Sequence, residues 1–216
     1  MISLNLKKRI ITTIILFILV GIMMKSIFFL SYVLIVLGVL SLQEFFKITQ
    51  KLSKNKFFLL IINLSFSTYV FLLCFFFLYF SSSLNLKIII FFILLCCVAS
   101  DIGGYIFGKM FNGPKLTKIS PNKTIAGAIG SILSTITLIS LFNHYFYKNF
   151  GLNIILIGLI ISLLCQLGDL FFSYLKRKTK IKDTGNILPG HGGVLDRIDG
   201  ILIGLPFGFI TFLFLY

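Results

Sequence analysis

Tryptophan is missing from this chain and acidic side chains are scarce: six Asp and Glu stand against twenty Lys and Arg in 216 residues. Charged residues of all kinds make up 12%, whereas soluble domains carry roughly 25%. With 58% apolar residues and a mean hydropathy of +1.06, that shortage excludes a soluble globular domain. A cysteine framework is lacking too. Cys74, Cys96, Cys97 and Cys165 all lie inside apolar runs, with no C-x-x-C pair and no neighbouring His. Neither disulfides nor a zinc site is indicated, and the four read as small apolar packing residues. There is no internal repeat and no linker long enough to separate soluble domains.

What fills the chain is apolar runs. A helix needs about 20 such residues to cross the hydrocarbon core, and spans are read at 10–24, 27–43, 57–80, 88–108, 125–142, 153–172 and 200–216. The expected fold is an all-α polytopic integral membrane helical bundle of about seven transmembrane helices. The net charge of +14 would suggest nucleic acid in a soluble domain, but here the bases sit in short loops between apolar runs. With the N-terminus in the cytoplasm, seventeen bases fall inside and only Lys25, Lys87 and Lys148 outside. That asymmetry satisfies the positive-inside rule and puts the C-terminus outside. Lys7-Lys8-Arg9 before an apolar stretch imitates a signal peptide, but no small-residue cleavage site follows, so it reads as a retained anchor.

The chain changes character near residue 100. Residues 1–100 read as N-terminal membrane-anchor helices with one acid, Glu44, and residues 101–216 as a catalytic membrane domain with cytoplasmic-face loops. Five of the six acids, most glycines and three of the four prolines lie in 101–200. Small residues recur every fourth position at Ala126, Gly130 and Ser134 and at Gly200, Gly204 and Gly208. Such stripes let helix backbones approach closely in lipid, and a homodimer packed through them is one expectation. Pro206 is expected to kink the last span.

The acids carry the chemistry. A carboxylate near the membrane centre costs on the order of 3 kcal/mol on insertion scales and usually faces a cavity, a partner or an ion. Asp101 follows an apolar run, Asp169 lies near the inner end of its span, and Asp196 and Asp199 stand three residues apart on one helix face. Hard cations such as Mg2+ take one or two carboxylates plus substrate phosphates. Asp169, Ser173, Lys176 and Lys180 share helical spacing, so one helix could present a metal ligand and then cations. The basic run 176–182 leads into Asp183-Thr184-Gly185 and Leu188-Pro189-Gly190-His191-Gly192-Gly193, a glycine-dense turn whose backbone N–H groups can approach phosphate oxygens. Acids for a cation, bases for polyphosphate and flexible backbone between them make a nucleoside-triphosphate site. Ser120-Pro121-Asn122-Lys123-Thr124 is a second candidate, with Thr124 capping the helix from 125 and Lys123 at its positive end.

Residues 173–199 resemble the signature of the phosphatidate cytidylyltransferase family, also called CDP-diacylglycerol synthases. The resemblance rests on Ser173-Tyr174-Leu175-Lys176-Arg177, Lys182-Asp183-Thr184-Gly185, Leu188-Pro189-Gly190-His191-Gly192-Gly193 and Asp196-Arg197-Ile198-Asp199, at fixed spacing. Gly168-Asp169-Leu170 and the 120–124 motif extend it upstream, with Asp101, Tyr105 and Gly108-Lys109 in fitting places. Ala126 departs from the Glu or Gln that relatives often carry, and the chain is short for the family, so a peripheral helix is expected to be missing.

The resemblance implies an Mg2+-dependent nucleotidyltransferase of phospholipid biosynthesis, making CDP-diacylglycerol and pyrophosphate from CTP and phosphatidate, with a two-cation site as one form of the cofactor. On that footing Asp169 and Asp196, supported by Asp199, ligate metal. Lys176, Arg177, Lys182 and Arg197 hold the triphosphate, and Lys123 holds a phosphate from the other loop. Ser120, Thr124, Ser173, Asp183, His191, Gly192 and Gly193 complete the substrate-binding set. The expected location is the bacterial cytoplasmic membrane, with the active site facing the cytoplasm, the bilayer as partner and no nucleic acid. The alternatives are a CTP-dependent lipid or polyprenol kinase and, in a different class, an ion-coupled transporter.

Overall fold

The computed structural model describes residues 15, 18–111, 113–117, 119–121, 123–148, 151–181, 183–185, 187 and 192–215. Long apolar segments in lipid must satisfy every backbone N–H and C=O internally, and helices do so within one segment. Six long helices lie wholly among the described residues: α1 Ile27–Leu52, α2 Lys56–Phe80, α3 Leu84–Phe111, α4 Ile125–Tyr147, α5 Leu152–Lys178 and α6 Leu195–Leu215. All six are long and apolar enough to cross a membrane. Among the described residues there is no strand, and an isolated antiparallel bridge pairs Lys115 with Thr124. Of the first expected span, 10–24, residues 10–14, 16 and 17 lie outside the described residues, and 18–25 are helical. α6 runs through Pro206 without interruption.

The helices reach past the apolar spans. α1 continues to Leu52 rather than stopping near 43, α5 continues to Lys178, and α6 begins at Leu195 rather than 200. Hydropathy marks only the greasy part of a helix, whereas its hydrogen-bond ladder continues until a cap stops it. Ser26 and Asn55 provide such caps for α1 and α2, each accepting an N–H of the first turn. Lys47, Lys51, Lys109, Lys176, Arg177, Asp196, Arg197 and Asp199 therefore stand on helix ends rather than in loops.

The end of α5 is specific. The Ile181 N–H reaches the Lys176 carbonyl at 3.0 Å and the Lys180 N–H reaches that of Arg177 at 3.1 Å, with Lys180 left-handed at φ 57°. This is a Schellman closure with lysine where glycine is usual. It corrects one expectation: Lys180 lies beyond the helix and does not continue the face of Asp169, Ser173 and Lys176.

The described residues form two compact units, Met1–Lys87 with Leu175–Ile198 and Ile88–Tyr174 with Asp199–Tyr216. They do not follow the division of the sequence at residue 100, because residues 175–198 group with the N-terminal helices. In the first unit α1 packs on α2, and α1 buries Leu30, Leu34, Ser41, Glu44, Phe45 and Ile48. The Phe45 ring stacks on Phe66 at 3.8 Å, and the Thr49 hydroxyl donates to Asn63 Oδ1 at 2.8 Å. Large exposed apolar side chains such as Phe28, Phe71 and Tyr79 suit a lipid-facing surface.

In the second unit the glycines set the packing. A Cβ at Gly103 would meet the Gly130 carbonyl and Ser134, one at Gly127 the Gly104 carbonyl, and one at Gly130 the Phe107 side chain. The Ser131 and Ser134 hydroxyls donate to the Ser100 and Ala99 carbonyls at 2.8 and 2.9 Å. Interhelical bonds of this kind contribute about 0.6 kcal/mol each in membranes. The contact face of α4 is therefore Gly127, Gly130, Ser131 and Ser134, not the four-residue stride through Ala126. A stride of four advances about 40° per step around a helix, so alternating three and four is needed to stay on one face. Gly200 and Gly204 of α6 press on Cys165, and Gly208 presses on Ile161. Gly130, Ser134 and the α6 stripe are thus packed within the chain, as are Cys97 and Cys165.

Candidate active site

The first unit contains a cluster built around two carboxylates. α6 opens with Val194 and Leu195, whose backbone N–H groups lack helical partners, as at any helix start. Glu44, reaching from α1, accepts both: Val194 N–H at 3.0 Å on Oε1 and Leu195 N–H at 2.8 Å on Oε2. The Thr184 hydroxyl adds a third bond to Oε2 at 2.7 Å. Glu44 is only 1% exposed, and its partners among the described residues are hydrogen-bond donors rather than cations.

Asp196 forms the other half. Its Oδ2 accepts the Thr184 N–H at 2.8 Å and the Gly193 N–H at 3.1 Å, while its Oδ1 takes the Lys176 ammonium at 2.8 Å. The bond to Gly193, three residues back, is one side of a capping box. Gly185 and Gly193 are glycine for a steric reason. A Cβ on either would run into the Glu44 carboxylate, and at Gly193 into the Thr184 hydroxyl as well. Gly192 has φ +84° beside Asp196 and Asp183, a conformation that favours glycine. The Gly193 N–H, expected to meet a phosphate, is occupied by Asp196. Asp183, Arg177 and Arg197 are exposed.

The second unit holds Asp169. Its Oδ2 pairs with the Lys123 ammonium, and its Oδ1 accepts the Ser173 hydroxyl at 3.3 Å. Lys123 is placed by a closed loop in which the Leu116 N–H donates to the Lys123 carbonyl at 2.8 Å and the Lys123 N–H to the Ser120 carbonyl at 3.1 Å. Thr124 caps α4 as expected, its hydroxyl accepting the Gly127 N–H at 3.1 Å. Two segments far apart in sequence, 120–124 and 169–173, are therefore joined by an ion pair that spacing alone did not reveal. The Asp169 carboxylate is 30% exposed. Asp199, also of this unit, is buried, with Oδ1 accepting the Gly200 N–H at 2.9 Å. Lys182 and His191 lie outside the described residues.

Among the described residues no three His, Cys, Asp or Glu side chains converge as a metal cluster. The oxygen donors fit a hard cation that draws its remaining ligands from substrate phosphates. Asp169 suits this role best, since its partners are two side chains that can turn away.

The sequence model of the cytidylyltransferase family matches residues 68–215, which takes in most of both clusters. The chain belongs to the cytidylyltransferase family. Its relatives include proteins named phosphatidate cytidylyltransferase from Rickettsia bellii, 47% identical over 114 residues, Helicobacter pylori, 44% over 107, and Staphylococcus aureus, 50% over 111. These matches cover 49%, 50% and 50% of this chain and 49%, 40% and 42% of the respective relatives. The chain thus spans about half the length, or less, of the relatives it matches. Glu44 lies before the part matched by the cytidylyltransferase model. It is the member of the cluster least visible from sequence, and the signal available is that it is the one acid among the first hundred residues.

Proposed function

We propose that the chain transfers the cytidylyl group of CTP to phosphatidate, giving CDP-diacylglycerol and pyrophosphate. The observation that carries this reading is the Lys176–Asp196 pair, fixed by N–H groups of a glycine-rich turn within a segment belonging to the cytidylyltransferase family. A phosphate oxygen of phosphatidate attacks the α-phosphorus of CTP. A new P–O bond forms, the bond to the oxygen bridging the α- and β-phosphorus breaks, and pyrophosphate leaves with the electron pair. Such a displacement needs no protein nucleophile, so positioning and charge neutralisation dominate.

Lys176, Arg177, Lys182 and Arg197 hold the triphosphate and the departing pyrophosphate. Lys123 turns from Asp169 to a phosphate, while Ser120, Thr124, Ser173, Asp183, His191 and Gly192 contact substrate. Bound Mg2+, one ion or two, would neutralise charge on the reacting phosphates, held by Asp169 and Asp196 with Asp199 in support. The enzyme works in the bacterial cytoplasmic membrane with 112–124 and 179–194 facing the cytoplasm, where CTP is supplied. Labelling of a cysteine placed at the exposed Ile187 from outside intact cells would contradict that sidedness.

Labelled CTP tests the reaction in detergent micelles containing phosphatidate and Mg2+. Label at the α-phosphate should partition into the lipid and label at the γ-phosphate into aqueous pyrophosphate. Transfer of the γ-label to lipid, with release of CDP, would replace this reading with a lipid kinase.

A further inference from the structure

We infer that Glu44 is a positioning residue for Asp196. The inference rests on the reading of Asp196 as a cation ligand, and it concerns a residue outside the matched family segment. Glu44 is buried in α1, and its three bonds run to Thr184, Val194 and Leu195. Thr184 is held at both ends: its hydroxyl goes to Glu44 at 2.7 Å and its N–H to Asp196 at 2.8 Å. Leu195, the next residue to Asp196, is held by Glu44 through its own N–H. Glu44 thus fixes two of the backbone points that decide where the Asp196 carboxylate stands, while its burial keeps it from touching substrate.

A carboxylate is costly to bury, and an apolar side chain would often serve packing as well. What an apolar side chain cannot do is accept three hydrogen bonds at the positive end of a helix. Nor can glutamine. If its carbonyl oxygen takes the place of Oε2, its NH2 meets the Val194 N–H. In the flipped rotamer the NH2 meets the Leu195 N–H. Either way two donors face each other and one N–H is orphaned, so Glu44→Gln keeps size and shape but loses at least one of the three bonds and the negative charge at the start of α6. Gly185 and Gly193 leave room for the carboxylate and for nothing larger at their own positions.

The test uses the full chain in detergent, comparing wild type with Glu44→Gln, Thr184→Val and Thr184→Ser. Hydrogen exchange should accelerate in peptides covering 183–197 for Glu44→Gln, with exchange in α2 unchanged. In the cytidylyl-transfer assay, the Mg2+ concentration giving half-maximal rate should rise severalfold for Glu44→Gln and for Thr184→Val, and stay at the wild-type value for Thr184→Ser. The KM for phosphatidate should not change. A merely structural loss reduces the amount of active protein and so lowers kcat alone, leaving the Mg2+ midpoint where it was. An unmoved midpoint in both Glu44→Gln and Thr184→Val, or unchanged exchange at 183–197, overturns the inference. A wild type inert with CTP and phosphatidate overturns the functional reading instead, and exchange then still decides whether Glu44 holds the loop.

Discussion

At the residue scale, the acids were the informative part of the sequence because a membrane protein has little other reason to carry them. Asp169 and Asp196 stand among Lys, Ser and backbone donors, as their expense in an apolar chain suggests. Their individual partners were not legible. Lys123 and Asp169 are 46 positions apart, and only the fold brings them together. Glu44 is hard to read from sequence because no other acid stands near it and its partners lie some 140 to 151 residues away. The glycine-rich turn was legible as a turn, but the reason for two of its glycines is a protein carboxylate. Gly193→Ala should therefore lower stability by about 1–3 kcal/mol, the usual cost of overpacking, seen as a lower thermal midpoint in detergent. Gly151→Ala is the control, since nothing lies within 4 Å of a Cβ there. An equal midpoint for the two variants would show that Gly193 is not sterically confined.

At the scale of elements, existence and type were plain from hydropathy, while boundaries were not. A span read from apolar residues ends where lysine begins, yet lysine is a good helix former and its long stem tolerates the interface. That is why α5 carries its three bases to Lys178 before the closure at Lys180. The packing role of small residues was legible in kind, but their exact face depended on helical phase. Gly130 meets Phe107 so closely that Gly130→Ala should destabilise the second unit, again by about 1–3 kcal/mol. The neighbouring Ile129, 53% exposed, should accept leucine with a change within about 0.5 kcal/mol. Thermal unfolding in detergent compares them, and a harmless Gly130→Ala would mean that α3 and α4 do not approach as described.

At the scale of the whole molecule, the all-helical membrane class follows from apolar runs of about 20 residues, the length at which a helix crosses the hydrocarbon core with its backbone satisfied internally. The packing units did not follow the sequence halves, since residues 175–198 group with the N-terminal helices and bring Thr184 and Leu195 to Glu44. An anchor-like first hundred residues therefore contributes directly to how the glycine-rich turn is held. The central claim is that this assembly transfers a cytidylyl group with Asp196 at its centre. The most direct measurement is release of pyrophosphate from CTP by purified protein with phosphatidate and Mg2+, beside Asp196→Asn. Asparagine can still accept the Thr184 and Gly193 N–H groups through its oxygen, but it turns an NH2 toward Lys176 and offers no charge to a cation. Wild type should release pyrophosphate in step with CDP-diacylglycerol, and Asp196→Asn should lose at least about a hundredfold in rate, the scale of removing one electrostatic contributor. Undiminished release by the variant, or no release by the wild type, would contradict the account.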